Sequence, residues 1–534
     1  MDEFDYVIVG GGSAGCVLAD RLSADPHNRV LLLEAGGEDR SFWIHMPIGY
    51  GKTFFDASVN WKYNSEPEPA LGDRPIYFPR GKVLGGSSSI NAMVYSHGMP
   101  VDYDDWRDVG NPGWGWDEVS TVYERFERRV ADTGVKGEGP LWVCNRDADY
   151  HPVKSHFLDA ASELGLRHAP DVNGPEPEGV GGYHVTTRRG WRCSSAVAFL
   201  RPARRRPNLE VRSGAYVQKV RFEGRRAAGV DYTFRGETVA VRAHGEVLLA
   251  AGAIGSPMLL QRSGVGPGRS LSAMGIDVVH GADAVGGAMQ DHLGVNYFYR
   301  AVKPTLNNVL GSWTGLIAAG IRFVLNQTGP LSIGVNQFGG MVRSDPDLPR
   351  PDTQLYFNPV SYSTDLVNKR ELFKPDPWPG FIIGFNSCRP TSQGRVDLSS
   401  PDPDAAPRIR PNYLDTNKDI EEVVAGARLI GRLQETEAMR ALIAVEPPFD
   451  PTDATDDEIV SDFRARSASV YHPCGTCRMA PQEDGGVVDP QLRVYGVEGL
   501  RVVDASIFPN ITSANTNAPA MMVAYKAADQ ILAN

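Results

Sequence analysis

The sequence predicts an α/β fold of two domains, and three observations predict it. Phe4 to Val9 reads as a short buried strand, Gly10-Gly11-Gly12-Ser13-Ala14-Gly15 as a tight turn, and Cys16 to Leu22 as a helix with Ala and Leu on its inner face. Val247 to Ala250, followed by Ala251-Gly252-Ala253-Ile254-Gly255-Ser256-Pro257, repeats the order strand, glycine turn, helix. Between about 302 and 467 the composition changes to aromatics, prolines and alternating strands, for instance Gln354 to Asn358 and Gly380 to Asn386. The two βα junctions fit a Rossmann-like dinucleotide-binding domain, and the middle portion fits a second, substrate-binding domain built on an antiparallel sheet with helices. The expected boundaries are 1–155, 195–300 and 465–534 for the first domain and 156–194 and 301–464 for the second.

The first junction has the spacing GxGxxG. Gly10 permits the turn, Gly12 lets backbone approach a pyrophosphate, and Gly15 lets helix and strand pack closely, so phosphates meet the helix N-terminus, with Ser13 and Ala14 of the turn among the expected cofactor contacts. The next strand, Arg29 to Leu33, ends in Glu34 and Ala35. Glu34 stands 24 residues after Gly10, where a carboxylate suits the ribose hydroxyls of an adenosine. This fingerprint does not separate FAD from NAD. A second loop, Gly81 to Asn91, has paired glycines and three hydroxyl residues and includes Val83, Gly86, Ser87 and Asn91; it is enough to wrap a second part of a bulky cofactor.

Further along, Asp102 to Glu127 suggests helices, Gly137 to Pro140 a turn, and Gly174 to Gly182 a connection between domains. Asn208 to Val220 and Ala227 to Leu249 alternate as antiparallel strands do, with turns at Gly224 and Gly236. The chain then returns to the first domain: Leu500 to Val503 reads as a strand closed by Asp504, and Pro519 to Leu532 as a helix.

Near this end lies Val470-Tyr471-His472-Pro473-Cys474-Gly475-Thr476-Cys477, followed 43 positions after its histidine by Asn515. An imidazole can take a proton near neutral pH and an amide can hold the group being deprotonated, a pair suited to oxidising an alcohol. A single histidine among 11 is more often a satisfied structural residue. Cys474 and Cys477 form a CxxC, but no short βαβ domain of the thioredoxin kind surrounds them.

Composition bounds the rest. A chain of 534 residues with 42% hydrophobic and 22% charged residues is long enough for two or three cores, and a net charge of −11 argues against a nucleic-acid surface. Six cysteines do not make a disulfide framework, and no charged-then-apolar leader precedes the first strand, so the cytoplasm is the expected compartment. The most apolar tract, Leu310 to Leu325, has 16 residues and carries Arg322, short of the roughly 20 that span a membrane; a core or lid helix is expected there, with a peripheral membrane contact as the alternative.

Together these motifs resemble the glucose-methanol-choline (GMC) oxidoreductase family, in its choline dehydrogenase-like and aliphatic alcohol branch, over Tyr6 to Leu532. The N-terminal GGGSAG, the loop Gly81 to Asn91, the segment Gly252 to Gly266, and the final His472 with Asn515 occur in the family's order. The resemblance implies FAD. Gly10, Gly12, Gly15 and Glu34 would hold its ADP half, Asn91 and its neighbours would lie near the flavin, Val217 would meet the adenine, and Asp504 and Ala505 would contact the pyrophosphate and ribityl chain. It also implies His472 as the catalytic histidine and Asn515 as its partner.

At Asn517-Ala518-Pro519 a proline at the expected first helical position would aim a helix N-terminus at the flavin N1/C2 carbonyl edge. Two departures matter. Some relatives tether FAD through a histidine where this chain has Ile90, so a non-covalent flavin is expected; and Gln337 stands where choline-oxidising members often carry a carboxylate.

The expected function is FAD-dependent oxidation of a primary alcohol to an aldehyde, His472 accepting the hydroxyl proton while a hydride passes to flavin N5, with oxygen or a quinone-like acceptor reoxidising the flavin. The rivals are a hydroxynitrile-lyase-like protein with no net redox chemistry and a flavoprotein-fold binding or electron-carrier protein.

Overall fold

A computed structural model describes residues 2–131, 134–362, 374–445 and 447–533. The chain opens with strand β1 (Asp2–Val9), helix α1 (Ser13–Leu22) and strand β2 (Val30–Glu34). Strands β3 (Leu209–Ser213), β4 (Ala215–Glu223), β5 (Arg226–Phe234) and β6 (Glu237–Leu249) complete most of the first sheet, and helix α2 (Gly252–Arg262) follows β6. The strand order is β3-β2-β1-β6-β5-β4. Pairs β3/β2, β2/β1 and β1/β6 are parallel, whereas β4, β5 and β6 form an antiparallel meander.

The expectation of antiparallel pairing from Asn208 onward therefore needs correction at β3, which runs parallel to β2 from Leu209↔Val30 to Ser213↔Glu34. Alternation alone cannot reveal direction. β2 is buried at all five positions and apolar at the first four, Val30 to Leu33, as a strand in a doubly covered parallel sheet requires.

The second sheet contains β7 (Leu293–Ala301), β8 (Phe338–Val342), β9 (Thr353–Asn358) and β10 (Gly380–Ser387), antiparallel in the order β8-β9-β10-β7. Helix α3 (Trp313–Asn326) lies between β7 and β8 in sequence and is capped by Ser312, whose Oγ accepts from Gly315 N–H. Among the described residues no helix is long and apolar enough to cross a membrane. The chain returns to the first sheet with β11 (Leu500–Val502), parallel to β6, and ends in α4 (Asn517–Leu532). Val17 and Leu18 of α1, Met522 and Val523 of α4, and Val7, Leu31 and Leu248 of the sheet are all buried in one core.

α4 begins at Asn517, so Pro519 is its third residue, not its first. The position costs little, because the first four helical N–H groups have no intrahelical acceptor to lose.

Candidate active site

One continuous cleft runs between the two sheets, and both glycine loops form its floor. Gly10 has φ +103, and a Cβ there would come 2.4 Å from Ala250 O; a Cβ on Gly15 would come 1.8 Å from Gly10 O. Only glycine fits either place. The tight junction brings the N-terminal turn of α1 to the cleft through Gly12, Ser13 and Ala14. Ala251 and Gly252 bring α2, and Thr516 and Asn517 bring α4. Three helix N-termini thus converge on one cleft, a natural setting for an anionic group.

Glu34 closes the far end. Its Oε2 accepts from Gly11 N–H and its Oε1 from Gly36 N–H, both at 2.7 Å, and burial pushes its carboxyl up to about 7 against those two bonds. Asp504 is also buried: Oδ2 accepts from Gly252 N–H and from Ser256, Oδ1 from Ser506 N–H, so it anchors the start of α2. Burial raises its pKa.

At the near end His472 and Asn515 meet, with Nδ2 of the amide 2.9 Å from Nε2 of the ring. Tyr471 turns the chain into this position with φ +73, a left-handed conformation that a bulky residue seldom adopts. Its N–H donates to Ser469 Oγ at 2.8 Å and its carbonyl accepts from Arg80 at 2.6 Å, which holds the turn. His472 N–H donates to Asp291 Oδ1 at 2.7 Å, and Asp291 Oδ2 accepts from Tyr413 and Ser469. Burial, with His292 and Arg80 adding, holds the His472 imidazole well below its ordinary pKa, so it is neutral. That is the state a proton acceptor needs.

Of the expected site residues, Gly10, Gly12, Ser13, Ala14, Glu34, Ala35, Gly86, Ser87, Asn91, Val217, Asp504, Ala505, Asn517, His472 and Asn515 line the cleft. Three do not. Gly15 packs behind the turn, Pro519 is buried two residues into α4, and Val83 is buried within the second loop with Ile44, Val59 and Ile90. The first two do the packing the motif requires, and Val83 braces the loop from within. Sequence reasoning missed Arg80, Asp291 and His292, which hold the histidine, and Tyr50, Phe54 and Tyr362, which wall the cleft beyond it. The triplet Gln290-Asp291-His292, polar and just ahead of a strand, was the available signal.

Gln337 does not line the cleft. It is buried just before β8, and its Oε1 accepts from His151 N–H at 2.9 Å. Among the described residues lining the cleft the acids are Glu34 and Asp504, whereas β7, β9 and the segment before β8 contribute Asn296, Tyr356, Asn358 and Asn336. Cys474 and Cys477 are buried free thiols raised well above their ordinary pKa by burial, which is unsuited to thiolate chemistry.

The cleft fits FAD. A Cβ on Gly12 would meet nothing nearer than Gly86 Cα at 3.9 Å, so its missing side chain opens the cleft to a phosphate group. Asn515 Oδ1 is buried with no partner among the described residues, which points to a ligand at that end.

Fold and cleft together define an FAD-dependent oxidoreductase. The chain belongs to the GMC oxidoreductase family, whose profiles match residues 4–294 and 390–524. It is 40% identical over 536 residues to an alcohol dehydrogenase (acceptor) of Pseudomonas putida, covering 99% of this chain and 96% of that protein. It is 40% identical over 539 residues to an oxygen-dependent choline dehydrogenase of Photobacterium profundum, covering 99% and 93%. The crystal structure of pyridoxine 4-oxidase from Mesorbium loti superposes with a TM-score of 0.89 at 30% identity, covering 99% of each chain.

Proposed function

We propose that this protein oxidises neutral primary alcohols to aldehydes, with His472 as the base and Asn515 as the group that orients the hydroxyl. The observation that carries the reading is the 2.9 Å pairing of a neutral, buried imidazole with an amide at the end of a cleft that fits FAD. An alcohol hydroxyl that displaces the Asn515 Nδ2–H from His472 Nε2 gives its proton to that nitrogen, and the released amide N–H donates to the alcohol oxygen. FAD held by Gly10, Gly12, Glu34 and the second glycine loop would supply the acceptor for the carbinol hydride. The aromatic walls of Tyr50, Phe54 and Tyr362 exclude water and offer an apolar seat. Relatives named as dehydrogenases and an oxidase support redox chemistry over a lyase.

The test is anaerobic mixing of the yellow protein with a panel of primary alcohols. We expect bleaching of the visible flavin band with one aldehyde formed per flavin. No bleaching by any neutral primary alcohol, with FAD bound, removes the reading.

A second observation concerns location and acceptor. Trp313 and Val324 of α3 are 83% and 77% exposed, and Ile317, Ile321 and Leu325 are exposed beside them; Phe323 on the inner face contacts Trp191, which contacts the exposed Phe42. An apolar face of this extent on a helix without acidic residues suits the surface of a bilayer. We infer a peripheral membrane contact through α3 for a cytoplasmic protein, with oxygen or a quinone-like acceptor reoxidising the flavin. Co-sedimentation with anionic vesicles, lost in Trp313→Ser/Val324→Ser, is the expected result; an unbound wild type removes it. We also assign the first sheet and α4 to an FAD-binding domain and the second sheet to a substrate domain, with a border just before Leu293.

A further inference from the structure

A second histidine is built into this corner. His292 is fully buried, and its Nδ1 lies 2.9 Å from His472 Nδ1, while its Nε2 lies 2.9 Å from Cys388 O. The surrounding backbone is fixed as well. Val470 N–H donates to His292 O at 2.9 Å, and Gln290 and Cys474 exchange backbone hydrogen bonds.

Hydrogen-bond chemistry orders the protons along this row. A carbonyl oxygen only accepts, so His292 Nε2 carries a proton and donates to Cys388 O. His292 being neutral, its Nδ1 is bare and accepts from His472 Nδ1–H. His472 Nε2 is then bare in turn, and the amide facing it must be a donor, which fixes Asn515 with Nδ2 toward the ring and Oδ1 toward the cleft. Burial, which pushes His292 down to about 4, is consistent with a neutral ring there.

We propose that His292 is a positioning residue that sets the tautomer of His472, anchoring through Cys388 O a row of hydrogen bonds that keeps Nε2 unprotonated, facing Asn515 Nδ2 until an alcohol hydroxyl takes that place. The inference rests on His472 being the base. In the reaction the alcohol O–H bond breaks toward Nε2, the C–H pair leaves as hydride to FAD, and the C=O bond forms. The proton remains on His472, whose Nδ1–H stays bonded to His292. A neutral acceptor stabilises the resulting imidazolium less than a carboxylate would, so the base stays weak and unprotonated over the working pH range. The other charged or titratable groups around the two rings are Arg80, Asp291 with its donor Tyr413, Arg389, Tyr356 and the Cys388 thiol.

The test uses the FAD-loaded full chain and stopped-flow flavin reduction across pH. His292→Asn puts an amide oxygen in the place of Nδ1 and is expected to keep the rate within about 10-fold, with the acid limb unmoved. His292→Leu has no acceptor, frees the ring to turn, and should lose roughly 10- to 100-fold. His292→Asp supplies a charged acceptor and should move the acid limb up by about one unit or more. A Leu variant with wild-type rate and limb overturns the inference. Should that variant fail to retain FAD, the Asp variant decides alone, and an unmoved limb overturns it. If instead His472→Ala reduces its flavin at the wild-type rate, the base assignment itself has failed, whatever the His292 variants do.

Discussion

Ser13 Oγ donates to Asn517 Oδ1 at 2.7 Å, joining the first turns of α1 and α4 across 504 residues of sequence. The bond clamps two helix N-termini at the spacing the cleft needs. Neither partner bears charge, so its net worth is about 0.5–1.5 kcal/mol. Ser13→Ala should weaken FAD binding by roughly 2- to 10-fold without unfolding the protein. Fluorescence titration of flavin-free protein reads this directly, and unchanged affinity would mean the helices are held by packing alone.

Gly86 stands against Gly12, with φ +52 and a virtual Cβ 2.7 Å from Gly12 Cα. Gly86→Ala must push one glycine loop off the other, because the atoms it would meet, Gly12 Cα and C and Ser13 N, are all backbone. We expect protein purified largely free of FAD. Full yellow occupancy in that variant would contradict the back-to-back placement of the loops.

Glu34 gives a pH signature. Its folded pKa, about 7, lies above the ordinary carboxyl value, so the folded chain holds a proton that the unfolded chain has released. By linkage its contribution to stability is full below about 4.5 and is lost as pH rises toward 7. Flavin-free protein should lose melting temperature between pH 5 and 7.5, and Glu34→Gln should lessen that slope. In holoprotein Glu34→Ala should release more FAD than Glu34→Gln, which can still bond one ribose hydroxyl. A wild-type slope in the Gln variant would assign the titration elsewhere.

The division between what the sequence revealed and what it concealed follows from how local each feature is. The turn at Gly10 to Gly15 and the carboxylate at Glu34 are short-range consequences of backbone geometry, so the spacing alone located them. The pairing of His472 with Asn515 was legible because their chemistry is distinctive and their order along the chain resembles a known family. The support behind them was not. Arg80 reaches Tyr471 O across 391 residues, and His292 reaches His472 across 180, so neither contact leaves a local pattern. The left-handed turn at Tyr471 is set by its partners, against its own preference. The parallel pairing of β3 was hidden for a similar reason, since alternation reports faces but not neighbours.

The absence of acids other than Glu34 and Asp504 among the described lining residues bears on substrate charge. Choline would leave water for a wall of tyrosines, Phe54 and amides with no counter-charge. Aromatic faces could recover part of that loss through cation–π contact. Choline should therefore be a poor substrate beside a neutral alcohol of similar size, measured as kcat/KM with an artificial acceptor. Equal values would show that the tyrosines form a working cage.

The base assignment makes the sharpest demand. His472 must be neutral to accept a proton, and its pKa is held well below the ordinary histidine value. The sign follows: as pH falls the ring protonates and kcat/KM drops, and the acid limb should lie below the ordinary value of about 6.5. His472→Ala should retain FAD and lose on the order of 100- to 10,000-fold in flavin reduction. Asn515→Ala should lose less, about 10-fold, since it removes one hydrogen bond and leaves the base in place. Asn515→His places a second imidazole at that position and should keep partial activity if the amide only donates to the alcohol oxygen. Stopped-flow reduction of the three variants, with FAD content measured on each, separates these roles; a wild-type rate in His472→Ala with flavin fully bound would leave the reaction without its base.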